Sequence, residues 1–296
     1  MVDRNIALEA LCTLCNANVT SVQKQSVQAQ SFRGTPPQQS LKIKNFISTV
    51  LDADETSQVS RSNFECIKTV LQSGGHATSH SRVNPQEQHD TTKNHVINED
   101  EFFDNQYDYD FANLKDTETY TRGGEVYERP SGWYGFGLKV LDKYESNAWL
   151  GTRFRSTQSV PGEWPVSYHG TTKRGAEGII EGFYKSGPGQ VYGKGIYSTP
   201  YISEAELYAK TFTSNKNGKQ YKVILQNRIN PKYRQKYNNQ KYWLVPIPDN
   251  SSAQDERVMV EQAIRPYGLL LKEVTVEKDY MCQLIWKMQT RNSLSH

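Results

Sequence analysis

Cysteine is scarce in this 296-residue chain, and so are long apolar runs and any large surplus of charge. Four cysteines in a chain of this size cannot staple it, so a disulfide framework is not expected. Cys12 and Cys15 form a CxxC with no second pair at zinc-site spacing. They share a helical stripe with Leu8 and Leu11, which reads as buried small apolar residues on a helix face. Cys66 and Cys282 are isolated. No apolar stretch reaches membrane length, and no charged N-terminus leads into an apolar signal core. The expectation is a soluble protein of the cytoplasm or nucleus with no membrane partner. A net charge of +3, without a basic run interleaved with aromatics, gives no indication of nucleic acid. Only 36% of residues are hydrophobic and mean hydropathy is −0.75, so part of the chain is expected not to pack.

What is present is unevenly spread. Residues 1–98 read as a mostly flexible N-terminal region, with Gln, Ser, Thr and Pro dominating 16–41. A short helical pair is expected near 42–72, on the stripes Ile43, Phe46, Ile47, Val50, Leu51 and Phe64, Ile67, Val70, Leu71. His76, His80 and His89 fall in a polar linker and are not read as metal ligands. Residues 99–122 open with acids alternating with aromatics. They suit either an interaction segment or a strand or loop capping the main domain. A structured domain is expected over 123–274. A last helix is expected over 275–296, with Met281, Leu284, Ile285 and Met288 on one face.

Within the main domain, 164–168 is a short β-branched and aromatic run, hence a strand. Ala176, Ile179, Ile180 and Phe183 fit one helix face. Ser203 and Glu206 have capping-box spacing, and Ala205, Tyr208, Ala209 and Phe212 follow as a helical stripe. Residues 221–229 alternate as a half-buried strand, and 242–245 and 267–271 read as two more. This order predicts an α+β fold built on antiparallel sheets with flanking helices.

His169 is the one histidine between His95 and His296, so any imidazole chemistry in the C-terminal half falls to it. The plainer alternative is a hydrogen-bonded histidine ending a strand. Its sequence Tyr168-His169-Gly170-Thr171 is followed by Tyr192-Gly193-Lys194-Gly195-Ile196-Tyr197, then by Ser203 and Tyr208. In order and spacing these parts resemble the NAD-binding core of the poly(ADP-ribose) polymerase-type ADP-ribosyltransferases. More weakly, the resemblance spans 123–274.

The resemblance implies an ADP-ribosyltransferase-like fold, NAD as substrate and a protein as acceptor. His169 and Tyr197 would be the catalytic pair. Gly170, Thr171, Tyr192, Gly195 and Tyr208 would bind NAD. In this reading His169 holds a ribose hydroxyl, Gly170 presents backbone to the carboxamide, and Tyr197 and Tyr208 enclose the nicotinamide. For both tyrosines plain core packing is the alternative. The chain departs from the family in two places. No carboxylate precedes Tyr267, where the family completes a His–Tyr–Glu triad, and Glu256, Glu261 and Glu273 lie out of register. Ala205 stands where the family has a serine. The reading is therefore a mono-ADP-ribosyltransferase, or an inactive module of the same fold that binds NAD, ADP-ribose or a protein.

Overall fold

The computed structural model describes residues 2–22, 38–53, 93–116, 118–151, 156–170, 195–248 and 250–274. The helices expected at 64–71, 176–183 and 275–296 lie outside the described residues, as do Thr171, Tyr192, Cys66, Cys282 and the histidines at 76, 80 and 89.

Helix α1 (Arg4–Cys15) leads into β1 (Asn18–Val22), and β2 (Gln39–Ser40) precedes helix α2 (residues 43–53). β3 (Asn94–Asn98) continues into the single turn α3 (Glu99–Phe102) and then β4 (Tyr109–Asp110). β5 (Tyr120–Arg122) and β6 (Glu125–Tyr127) form a hairpin, followed by β7 (Tyr134–Gly137) and β8 (Val166–His169). The remainder runs β9 (Gly195–Ser198), α4 (Ile202–Glu206), β10 (Lys210–Thr213), β11 (Gln220–Ile229), β12 (Gln235–Tyr237) and β13 (Tyr242–Pro246). Helix α5 (Ala253–Ala263) and β14 (Ile264–Glu273) complete it. At the level of class, the α+β expectation with antiparallel sheets agrees with this structure.

β11 organises the main sheet. One edge pairs antiparallel with β14 along its whole length, and β7 and β4 extend the sheet beyond it. Its other edge is shared. β10 takes the stretch 220–223 and β8 takes 225–228, so the two short strands lie end to end. Tyr221, Val223, Leu225 and Ile229 point into the larger core, while Ile224 packs on the opposite face with Tyr168, Trp133 and Leu270. A second sheet, β12-β13-β9, delivers Ile196, Trp243 and Val245 to the larger core.

Packing does not respect the boundary expected near residue 123. Ile6, Ala10, Leu11 and Leu14 of α1 and Phe46, Ile47 and Val50 of α2 join the same cluster as Phe136, Leu225 and Leu269. The Asp3 side chain caps α1 at Asn5 N, and Lys210 Nζ, from β10, bonds the carbonyls of Thr13 and Leu14 at its far end. Cys12 and Cys15 lie on this helix as free thiols, Cys15 buried. β1 and β2 also fall within the stretch expected to be flexible, paired in parallel with β3. The segment 99–111 caps the main domain, because β4 pairs with β7 and Phe102 and Phe103 are buried.

The helix expected from Ser203 through Phe212 is corrected. α4 stops at Glu206, its N-cap is Tyr201 with no side-chain bond, and Glu206 turns to Lys272 at 2.8 Å. From Lys210 the chain is strand. Thr211 and Thr213 are β-branched and favour it, and Phe212 stacks on its cross-strand partner Tyr221 at 5.8 Å.

Candidate functional site

β8 is buried along its whole length. Tyr168 exchanges both backbone hydrogen bonds with Thr199, at 2.7 and 3.1 Å, which ties β8 to the end of β9. Beside this bridge the His169 ring turns toward β9, and its Nδ1 lies 2.8 Å from the Tyr197 carbonyl oxygen. A carbonyl only accepts, so Nδ1 carries a proton and donates it to that oxygen. His169 is 2% exposed, so that orientation is held in a dry environment.

Gly170 follows at the strand end. A Cβ there would stand 2.3 Å from the Ala205 carbonyl oxygen and 3.0 Å from the Tyr208 carbonyl carbon. The end of α4 therefore docks on Gly170 and carries Tyr208 with it. A Cβ at Gly195 would meet the Val245 carbonyl oxygen at 2.1 Å, because Gly195 pairs with Pro246. Both glycines are thus required by close backbone packing. Tyr197 pairs with Leu244, and its buried side chain packs with Leu244 and Tyr237. Tyr208 is half-buried, and burial pushes its phenol well above the ordinary range, with Tyr242 and Glu204 adding to the shift. Five of the residues singled out in the sequence are linked by these contacts: His169, Gly170, Gly195, Tyr197 and Tyr208.

The carboxylates near the end of the chain have other engagements. Glu261 pairs with Lys44 at 3.5 Å and Glu273 with Lys219 at 2.9 Å. Pro266, just before Tyr267, sits in β14 opposite Asn227. Arg265 is enclosed by rings, 3.9 Å from the Tyr144 centroid and 4.6 Å from that of Trp164. It anchors packing through cation–π contact.

Searched against models of known protein families, the chain matches none, and no curated protein matches it.

Several residues that sequence reasoning did not single out stand next to this cluster. Glu204 forms a 2.8 Å ion pair with Lys241 and, with Tyr242, adjoins Tyr208. Ser167 and Asn227 are cross-strand partners on the same face of the sheet as His169, both fully buried. Ser167 Oγ, Asn227 Oδ1 and the buried Ser198 Oγ have no hydrogen-bond partner in the protein. Buried polar atoms are ordinarily satisfied, so this polar floor on the strands beside the oriented imidazole makes the place a candidate site. The only sequence signal for it was the interruption of apolar strands by Ser and Asn. Among the described residues no group of three or more His, Cys, Asp or Glu could hold a metal ion, and no helix is long and apolar enough to cross a membrane.

Proposed function

We propose that the chain is a mono-ADP-ribosyltransferase of the ADP-ribosyltransferase-like fold, moving ADP-ribose from NAD to a protein side chain. The observation that carries this reading is the 2.8 Å contact between His169 Nδ1 and the Tyr197 carbonyl. It joins the two halves of the motif that resembles the family, with Tyr208 brought in against Gly170.

In the reaction the bond between the ribose C1′ and the nicotinamide nitrogen breaks, and its electron pair leaves with the nicotinamide. The ribose passes through an oxocarbenium-like state, and an acceptor atom closes on C1′ while its proton goes to solvent. His169 Nε2 accepts a hydrogen bond from a ribose hydroxyl, fixing the sugar while its Nδ1–H is held by Tyr197. Tyr197 and Tyr208 supply ring faces for the nicotinamide. Incubation with labelled NAD followed by detection of label on protein tests the reading directly.

Tyr197→Ala is expected to weaken binding of a non-hydrolysable NAD analogue by roughly fivefold, since a stacked ring contributes on the order of 1 kcal/mol beyond its area. Titration calorimetry reads this, and equal affinity for both proteins would remove Tyr197 from the pocket.

The product is expected to be a single ADP-ribose per acceptor. Elongation requires a ribose hydroxyl to be activated, and Pro266 offers no acceptor side chain where the family places its glutamate. Resolving reaction products by size checks this. A ladder of polymers would contradict it and redirect attention to Glu256 and Glu261.

The second reading is an inactive module of the same fold, binding NAD, ADP-ribose or a protein. The ion pairing of Glu261 and Glu273 elsewhere favours it, because neither stands ready as a base. A wild-type protein that binds the analogue but transfers no label would establish it.

A further inference from the structure

The side chains of β11 alternate across the sheet. Leu225, the partner of His169, points one way, and Gln226 and Arg228 point the other. On that second face lies a cavity of about 340 Å³, within the range of small-molecule sites. We propose that this cavity binds a small aromatic monocarboxylate, at a site separate from that of His169.

Its walls include Tyr107, Phe111, Tyr127 and Tyr267, and β7 and β14 contribute Gly135, Gly137 and Gly268. Gln226 Nε2 donates to the Tyr127 hydroxyl at 2.9 Å. Burial raises the phenols of Tyr127 and Tyr267, so both stay neutral hydrogen-bonding groups. Among the described residues the only charged one in the lining is Arg228.

The environment of Arg228 specifies an anion. Its Nη1 donates to Glu163 at 3.0 Å and to the Trp164 carbonyl at 2.6 Å, and its Nη2 to the Leu150 carbonyl at 2.7 Å. Its Nε is buried and has no acceptor among the described residues. Glu163 is shared with Arg122, whose Nε lies 3.5 Å away. Two guanidiniums on one carboxylate leave one positive charge over, and among the described residues no acidic side chain lines the cavity. A buried cation in surplus, with an unused donor, is stabilised by one anionic acceptor. One surplus charge and aromatic walls select an aromatic acid with a single carboxylate.

Removing Arg228 would take one of its two guanidiniums from Glu163 and endanger the fold, so the test uses the ligand and the cavity wall instead. The full chain is titrated with 2-naphthoate and with 2-naphthamide, its neutral isostere. The acid is expected to bind saturably, and the amide at least about tenfold more weakly, the loss of a charge-assisted hydrogen bond. Leu141→Trp, which narrows the cavity, is expected to abolish binding while melting as the wild type does. Absence of saturable binding to the wild type, equal affinity for acid and amide, or undiminished binding to a folded Leu141→Trp would each overturn the proposal. So would displacement of 2-naphthoate by an NAD analogue, which would assign it to the His169 site. None of these outcomes depends on whether the protein transfers ADP-ribose.

Discussion

His169→Ala is expected to lower ADP-ribose transfer from labelled NAD by about a hundredfold or more, the scale of losing a positioned polar group from an active site. In the proposed mechanism the imidazole orients the ribose through Nε2 while Tyr197 holds its Nδ1, so truncation would remove both the contact and its alignment. It also leaves the Tyr197 carbonyl without that donor, which costs about 1–3 kcal/mol of stability for a buried acceptor. Activity and thermal denaturation should be measured on the same preparation. A folded variant that transfers at the wild-type rate would remove His169 from the mechanism.

The largest effect on stability is expected at Glu163. This carboxylate is 7% exposed and serves Arg228, Arg122 and the backbone N–H groups of Gly123 and Val160. Gly151 packs on it with a φ of +81°, where a Cβ would lie 2.4 Å from Glu163 Oε1. Glu163→Ala would leave Arg228 buried without its counter-ion, and breaking one side of such a pair costs about 3–5 kcal/mol. Glu163→Gln keeps the shape and an acceptor oxygen, so its loss should be smaller. Urea denaturation orders the three proteins, and a midpoint for Glu163→Ala equal to that of wild type would show that the arrangement contributes nothing net.

The sequence made several strands legible because their apolar residues alternate or run together, as at 221–229, 242–245 and 267–271. It underestimated β14, which starts directly from α5 at Ile264 and carries Pro266 inside it. Proline in a strand usually signals an edge, but here it sits beside the register shift at Gln226/Asn227, where a ladder bond is already lost. The error at 207–213 has a similar origin. A helical spacing of Tyr208, Ala209 and Phe212 coexists with β-branched threonines, and pairing with β11 decided in favour of strand. The role of α1 could not be read locally, since its buried face finds partners some two hundred positions away, as Lys210 and Leu14 illustrate. The contact between His169 and Tyr197 was legible only as motif order. The polar floor of Ser167, Ser198 and Asn227 was not legible, because each reads alone as an ordinary strand residue.

The shared edge of β11 bears on how this protein can change. The chain leaves the sheet at His169, opposite Leu225, and rejoins it at Lys210, opposite Val223. Between those neighbouring anchors β9 is fixed as well, by its pairing with β13 and by the bridge from Tyr168 to Thr199. Lengthening a connection whose ends are held close together is entropically mild, about 0.6 kcal/mol for each doubling. Related chains are therefore expected to keep β8, β9, β10 and β11 aligned and to differ most in length between β8 and β9.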